Sequence, residues 1–427
     1  MKKVLITEFK KNKTGIKKQG LFLVVGTKDT KTDEDWRVLG FKVTQFCINE
    51  KIKKIEMTIP NGSQAFIEGT ILGDYQYSIK KKDNYKKIEI EYNANAIELA
   101  NARNIIKAQY LTRDLVNTPP NIANAEYVLD LVLDIFVNSG ITIELYGKDK
   151  LEQLNMNGHL AVNAASNQEA MTIKMTYTPE NQDQNTKRHI FVGKGLTYDS
   201  GGLSIKPTNS MVKMQADKAG AMTLIGLMEY LRLNGGNSEV ICYIALAENM
   251  INENAYRPGD ILTMKNGKTV KINNTDAEGR LVLFDNICLA QEQNKKFDTM
   301  TSIATLTGSA VAQFGNEAAG LVSFNNKLKR KIQKAGDKQG EIFLDAPFHK
   351  YMLDGVKDDV ADLSNTGTPT MGCQKAGLFL TEAVKKKNKN KFIHIDIAGP
   401  SFVDKGFGSN VKGATGFGVR TLIEVIK

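Results

Sequence analysis

Two short segments concentrate side chains that could do chemistry. In Asn274-Thr275-Asp276-Ala277-Glu278-Gly279-Arg280-Leu281, two carboxylates stand two residues apart and a guanidinium follows. Read as an extended stretch, Asp276 and Glu278 point the same way, which suits a bound cation and is repulsive without one. Arg280 falls where the apolar pattern RLVLFDNICLAQEQ predicts the start of a helix, and a cation at that end opposes the helix dipole. A metal held by the acids, beside an anion held by Arg280 and the helix start, resolves both unfavourable placements. The second segment, FVGKGLTYDSGGLSIK from Phe191 to Lys206, is an apolar strand running into a glycine-rich turn that holds Lys194, Asp199 and Lys206. Glycines permit tight backbone paths that gather side chains around a small ligand. Alone this segment is ambiguous, because such turns after strands are common and lysines are usually solvated. Asp217, just before a helix predicted from Ala219, reads on its own as a helix-capping aspartate.

Other chemistries lack their residues. The four histidines, His159, His189, His349 and His394, show no ligand-like spacing and read as ordinary surface or packing residues. Neither a G-x-S-x-G elbow nor a G-x-x-x-x-G-K-[ST] loop occurs, so serine-hydrolase and P-loop chemistry are unsupported. A hydrolytic site must be built from carboxylates, lysines and arginine.

The elements that must position these groups fall into two parts. Residues 1–95 read as a small α/β amino-terminal domain, its strand-like runs KVLITEF, GLFLVV and KKIEIEY separated by polar turns. Apolar residues at helical spacing from Ala96 to Leu111 predict a linker helix over 96–112, stopped by Asn117-Thr118-Pro119-Pro120. From 113 to 427 helix-like and strand-like patterns alternate: AEYVLDLVLDIFVNSG, ITIELYG, MTIKMTY, HIFVGKG, AGAMTLIGLMEYLRLNGG and EVICYIALAEN. The expected fold is therefore α/β, with a larger catalytic domain built on a mixed, mainly parallel sheet flanked by helices. Sites in such sheets sit beyond the carboxyl ends of strands. The lysine run from Lys385 to Lys391 reads as a solvated helix end ahead of the strand FIHIDIAG.

Composition sets outer bounds. With 427 residues, 41% hydrophobic and 24% charged, the chain can bury a sizeable core and is not a disordered or low-complexity protein. No apolar stretch approaches a membrane span, and the apolar run after the first lysines is too short for a secretory signal, so a cytoplasmic location is expected. Four scattered cysteines without a C-x-x-C pair fit a reducing compartment. The net charge of +10 raises the question of nucleic acid, and residues 1–100 carry 19 basic against 13 acidic side chains. Clusters such as Lys80-Lys81-Lys82 and Lys86-Lys87 are interleaved with acids, so a solvated surface is the favoured reading and DNA contact the lesser one.

Together these motifs resemble the leucine aminopeptidases of the M17 class, cytosolic dimetal exopeptidases. NTDAEGRL is that family's signature; VGKGLTYDSGG with SIK, ATLTG at 304–308, HIDIAG and GATGFGVRTL match in the family's order, and the resemblance covers roughly residues 96–427. It implies two divalent ions, zinc or manganese, held by Lys194, Asp199, Asp217, Asp276 and Glu278, with Asp199 and Glu278 bridging. Lys194 could ligate only as the neutral amine, which adjacent dications would favour. The resemblance further implies that a metal-bridging hydroxide is the nucleophile, that Lys206 donates toward the oxyanion, and that Arg280 holds a bicarbonate acting as general base. The implied pocket for the first side chain, leucine, methionine and similar, is formed by Met214, Thr305, Leu306, Gly308, Ala398 and Ser401. Substrates would be peptides with a free amino terminus, and the assembly a homohexamer of two stacked trimers. Two departures stand out: Ser401 replaces a larger apolar residue of the animal enzyme, and Lys218-Ala219 replaces an apolar residue and glycine.

Overall fold

The computed structural model describes residues 5–59, 63–80, 87–368 and 370–427; of the lysine clusters, Lys81, Lys82 and Lys86 lie outside these. The amino-terminal part runs β1 (Leu5–Lys10), β2 (Ile16–Gln19), β3 (Phe22–Gly26), α1 (Asp33–Asn49), β4 (Lys54–Thr58), α2 (Gln64–Leu72) and β5 (Glu89–Asn93). Its five strands order as β2-β3-β1-β4-β5, all pairs parallel except β2 with β3. The three expected strands are β1, β3 and β5, but a reading of strands and turns omits α1 and α2. The residues of α1 include β-favouring Val, Thr, Phe and Ile, which hides it. It forms because Thr32 and Asp35 make a reciprocal capping box, and because Arg37, Gly40, Val43, Thr44 and Cys47 recur at helical spacing on its buried face.

The long helix α3 (Ala96–Asn117) follows. It runs past the expected end at 112 and stops at Asn117, because Thr118 precedes a proline and takes the extended conformation (ψ 126°) that proline imposes on its neighbour. The amino-terminal domain is fastened to the rest through buried Arg37, whose Nε and Nη2 donate to Glu68 at 2.9 and 2.8 Å and whose Nη1 donates to the Gln339 carbonyl at 3.2 Å.

The larger domain continues with α4 (Ala125–Phe136), β6 (Ile141–Tyr146), α5 (Lys148–Gln153), α6 (Asn157–Asn163), β7 (Met171–Tyr177), β8 (Arg188–Asp199), α7 (Thr208–Met211), α8 (Ala219–Asn234) and β9 (Glu239–Asn249). After the short strands β10 (Ile261–Thr263) and β11 (Thr269–Lys271) come α9 (Gly279–Gln293), β12 (Thr299–Ala304), α10 (Gly308–Phe314), β13 (Ala318–Val322), α11 (Asn326–Gln339) and β14 (Ile342–Asp345). The chain ends with β15 (Leu363–Ser364), α12 (Gly372–Thr381), β16 (Phe392–Asp396), β17 (Phe402–Val403), β18 (Gly413–Ala414) and α13 (Val419–Ile426). Eight strands form one sheet in the order β14-β13-β16-β12-β8-β9-β7-β6, whose central strands β16, β12, β8 and β9 are parallel. Helices cover both faces, giving one apolar layer with α3, α8 and α13 and another with α9. The lysine run does not close α12: Lys386–Lys391 form a separate short turn after the helix has ended, with Lys389 paired to Glu382 at 2.8 Å. Among the described residues no helix is long and apolar enough to cross a membrane.

Helix α9 carries much of the site, and one buried side chain seats it. Asp285 accepts from the backbone N–H groups of Gly158 (2.7 Å), His159 (3.1 Å) and Lys265 (2.9 Å). Asp285→Ala strands three backbone donors, those of Gly158 and His159 buried, so a loss of about 3 kcal/mol is expected in denaturant unfolding; a midpoint equal to the parent's would refute this role. The buried histidines are structural. Burial pushes His159 down to about 4 and His394 to about 3, so both stay neutral, and His159 Nε2 bonds the Leu246 carbonyl at 2.8 Å.

Candidate metal centre

Lys194 and Asp199 both lie on β8, five residues apart. Strict alternation would send their side chains to opposite faces. The pairing with β9 shifts between Leu196 and Tyr198, so Thr197 is an extra residue in the strand, and this bulge brings Asp199 back to the face of Lys194. The turn beyond doubles back through Gly201 and Gly202, whose φ values of +85° and +62° suit glycine, and delivers Lys206 over Asp199. Their Nζ and Oδ2 atoms are 2.8 Å apart, and Lys206 also pairs with Asp276.

Asp276 and Glu278 do converge, though not from an extended stretch. Residues 274–277 make a turn in which the Asp276 N–H donates to Asn274 Oδ1 at 2.8 Å, and Glu278 is the residue preceding the first turn of α9. The local amide acceptor competes with strand pairing, which is why the pleated expectation fails. Oxygens of Asp199, Asp276 and Glu278 lie within 4.8 Å of one another. Gly279 is required here by space: a Cβ would meet Lys194 Cε at 2.5 Å.

Asp217 caps no helix. Residue Lys218 precedes α8 without a side-chain cap bond, while Asp217 Oδ1 accepts from Thr305 Oγ1 at 2.7 Å and Oδ2 lies 2.8 Å from Lys194 Nζ. Lys194 Nζ is also 2.8 Å from Glu278 Oε1 and donates to the Thr305 carbonyl at 2.9 Å. Four carboxylates thus surround two lysines.

The electrostatics are those of a cation site. Burial raises Asp199 well above the usual carboxylate range, and the charges of Glu278 and Asp217 add to it; burial lifts Asp217 to about 6. Burial raises Asp276 too, whereas Glu278 is held below its ordinary value because the two lysines outweigh its own burial. Burial alone would lower Lys194, but Asp217, Glu278 and Asp199 reverse this and keep it an ammonium; Lys206 is raised for the same reason. The neutral Lys194 expected of a ligand therefore requires the dications themselves. Glu278 Oε2 is buried without a hydrogen-bond partner, and Asp217 Oδ2 and Asp276 Oδ1 face lysines without hydrogen-bond geometry. A buried carboxylate oxygen without any partner, Glu278 Oε2, beside converging oxygens of Asp199 and Asp276, belongs to the donor set a hard divalent ion takes, so the residues fit a metal.

These groups open into a cavity of about 480 Å³. Lys194, Asp199, Lys206, Asp217, Asp276 and Glu278 are part of its lining. All six expected substrate-pocket residues, Met214, Thr305, Leu306, Gly308, Ala398 and Ser401, line it too. A cleft around Tyr177–Glu180 is larger, about 680 Å³, but lies apart from this cluster. Arg280 is not in the lining: it sits behind, buried, its Nη1 donating to the Asn365 carbonyl at 2.6 Å and its Nε unpartnered. Sequence reasoning missed two supports. Asn249, fully buried at the end of β9, donates to Asp199 Oδ1 at 2.8 Å and to the Thr275 carbonyl at 3.1 Å. Asn365 accepts from the Asn273 N–H at 2.8 Å and donates to the Asn274 carbonyl at 2.6 Å, fixing the turn that bears Asp276. Asn249 could have been suspected from its place at the carboxyl end of an apolar strand; Asn365 offers no such signal.

Comparison with known proteins identifies the family. Residues 110–423 match the family model of the cytosol aminopeptidase family, catalytic domain. A probable cytosol aminopeptidase of Helicobacter hepaticus is 36% identical over 401 residues, 92% of this chain and 82% of the relative. One from Persephonella marina is 37% identical over 392 residues, 89% of this chain and 78% of the relative. Among solved structures, the bottromycin maturation enzyme BotP in complex with Mn is similar with a TM-score of 0.89 and 26% identity, covering 100% of this chain and 99% of BotP. On the match over its larger domain and the identity along most of its length, the chain belongs to the cytosol aminopeptidase family and is a hydrolytic aminopeptidase.

Proposed function

We propose that Lys194, Asp199, Asp217, Asp276 and Glu278 hold two divalent cations, zinc or manganese, and that the chain releases amino-terminal residues such as leucine and methionine from peptides seated in the adjoining cavity. The observation that carries this reading is the meeting of four carboxylates, one of them with a buried oxygen that has no partner, in the lining of a cavity that also presents apolar Met214, Leu306, Val311 and Phe402. Manganese in BotP supports the choice of ion. When bound, such cations act as Lewis acids on a carbonyl oxygen and make water acidic enough to attack near neutral pH. Lys206, kept charged by Asp199 and Asp276, donates to the substrate oxygen that becomes negative as the carbonyl is attacked. Arg280, buried behind the cluster with an unpartnered Nε, would hold a bicarbonate, which would supply a base for the proton of the attacking water. Met214 and Leu306 give the first side chain an apolar, adaptable seat.

The test is a panel of dipeptides with free and acetylated amines, incubated with the protein with and without manganese and a chelator. Release of amino acid only from free-amine peptides, lost on chelation and restored by manganese, is expected. Cleavage of acetylated peptides, or indifference to exhaustive chelation, would overturn the reading.

A further inference from the structure

Asp396 ends β16, is fully buried, and does not line the cavity. Its Oδ1 accepts from the N–H of Leu306 at 3.1 Å and of Ala398 at 3.2 Å, and its Oδ2 accepts from Thr307 Oγ1 at 2.7 Å. Leu306 and Thr307 belong to the loop between β12 and α10, whereas Ala398 belongs to the loop after β16. Both loops line the cavity in which the proposed function places the first side chain, lying side by side in it. They leave adjacent parallel strands at the same level, since Ala304 pairs with Asp396, and the Ile397 N–H donates to the Ala304 carbonyl at 2.8 Å. The near end of the first loop is fixed differently: Thr305 is bonded to Asp217 and Lys194. One end of that loop is thus held by the cation cluster and the other by a single carboxylate.

We propose that Asp396 is a positioning residue for substrate selection, fastening together the two loops that line the side-chain recess and so setting which first residue is accepted. This rests on the aminopeptidase reading above. Without the carboxylate, the N–H groups of Leu306 and Ala398 lose their acceptor, and the loops shift until they find another. The recess changes width, whereas the cation cluster keeps its own bonds. Asp396→Asn preserves an acceptor oxygen for both N–H groups and disturbs only the contact with Thr307 Oγ1.

The experiment measures kcat and KM of full-length protein on leucyl and alanyl dipeptides with free amines, with manganese binding followed by equilibrium dialysis. Asp396→Ala is expected to change the leucyl-to-alanyl ratio of kcat/KM by about tenfold, mainly through KM, with manganese binding as in the parent. Asp396→Asn should recover most of that ratio. An unchanged ratio in Asp396→Ala, or a parallel loss of both activities with manganese binding, overturns the proposal. If Asp396→Ala does not fold, Asp396→Glu decides, because it keeps the charge but moves the acceptor oxygens by one methylene: a shifted ratio with parental manganese binding supports the proposal, and a parental ratio overturns it. A parental protein that turns over neither dipeptide overturns the function itself and this inference with it, whereas normal parental turnover with an unchanged variant ratio overturns the inference alone.

Discussion

Glu278→Gln is expected to cut peptide turnover by on the order of a thousandfold, because the cations it would help hold are worth several kcal/mol of charge stabilisation in the reaction. The substitution is nearly isosteric and removes one of four negative charges. Glu278 is buried and its Oε1 is 2.8 Å from Lys194, so the amide also takes a partner from that ammonium. Its other oxygen, Oε2, has no hydrogen-bond partner to lose. Fold should persist, since the apolar packing of α9 and the seat formed by Asp285 are untouched. Equilibrium dialysis with manganese should show weakened binding alongside the kinetic loss, while circular dichroism stays parental. Turnover and manganese binding both at parental level would sink the assignment of Glu278 as a ligand.

Lys206→Met should lower kcat by about 10²- to 10³-fold, the scale seen when one donor to a developing oxyanion is removed. The accompanying cation measurement separates this role from a structural one. Lys206 pairs with Asp199 and Asp276, so deleting its charge leaves the carboxylates more negative and should leave manganese binding equal to the parent's or tighter. Lost turnover with retained metal is the expected signature. Lost turnover with proportionately lost metal would instead make Lys206 a support of the cluster, and unchanged kcat would remove it from the mechanism.

Much of this centre was legible along the chain because its parts are local. The start of α9 beside Glu278 follows from the apolar spacing after Gly279, and Lys194 and Asp199 fall at the end of an apolar run that could only be a buried strand. The stop of α3 follows from the prolines after Thr118. Less of the amino-terminal domain was readable, since α1 is written in residues that favour strands and is fixed by its cap and buried face. Asp217 illustrates the limit of single-residue reasoning: position suggests a cap, but its oxygens turn inward to Thr305 and Lys194, eighty-eight and twenty-three residues away.

The residue types alone determined the class of chemistry: acids, lysines and one arginine, with no histidine or serine arrangement to compete. Tertiary structure decided whether those groups could act together. A bulge at Thr197 sets the face to which Asp199 points, Asn249 and Asn365 hold Asp199 and the turn bearing Asp276 from distant strands and loops, and Asp396 joins the loops after β12 and β16. Patterns along a chain report contacts a few residues apart, through the periods of helix and strand. A hydrogen bond spanning fifty or ninety residues has no period, so it becomes visible only when the sheet brings its partners together.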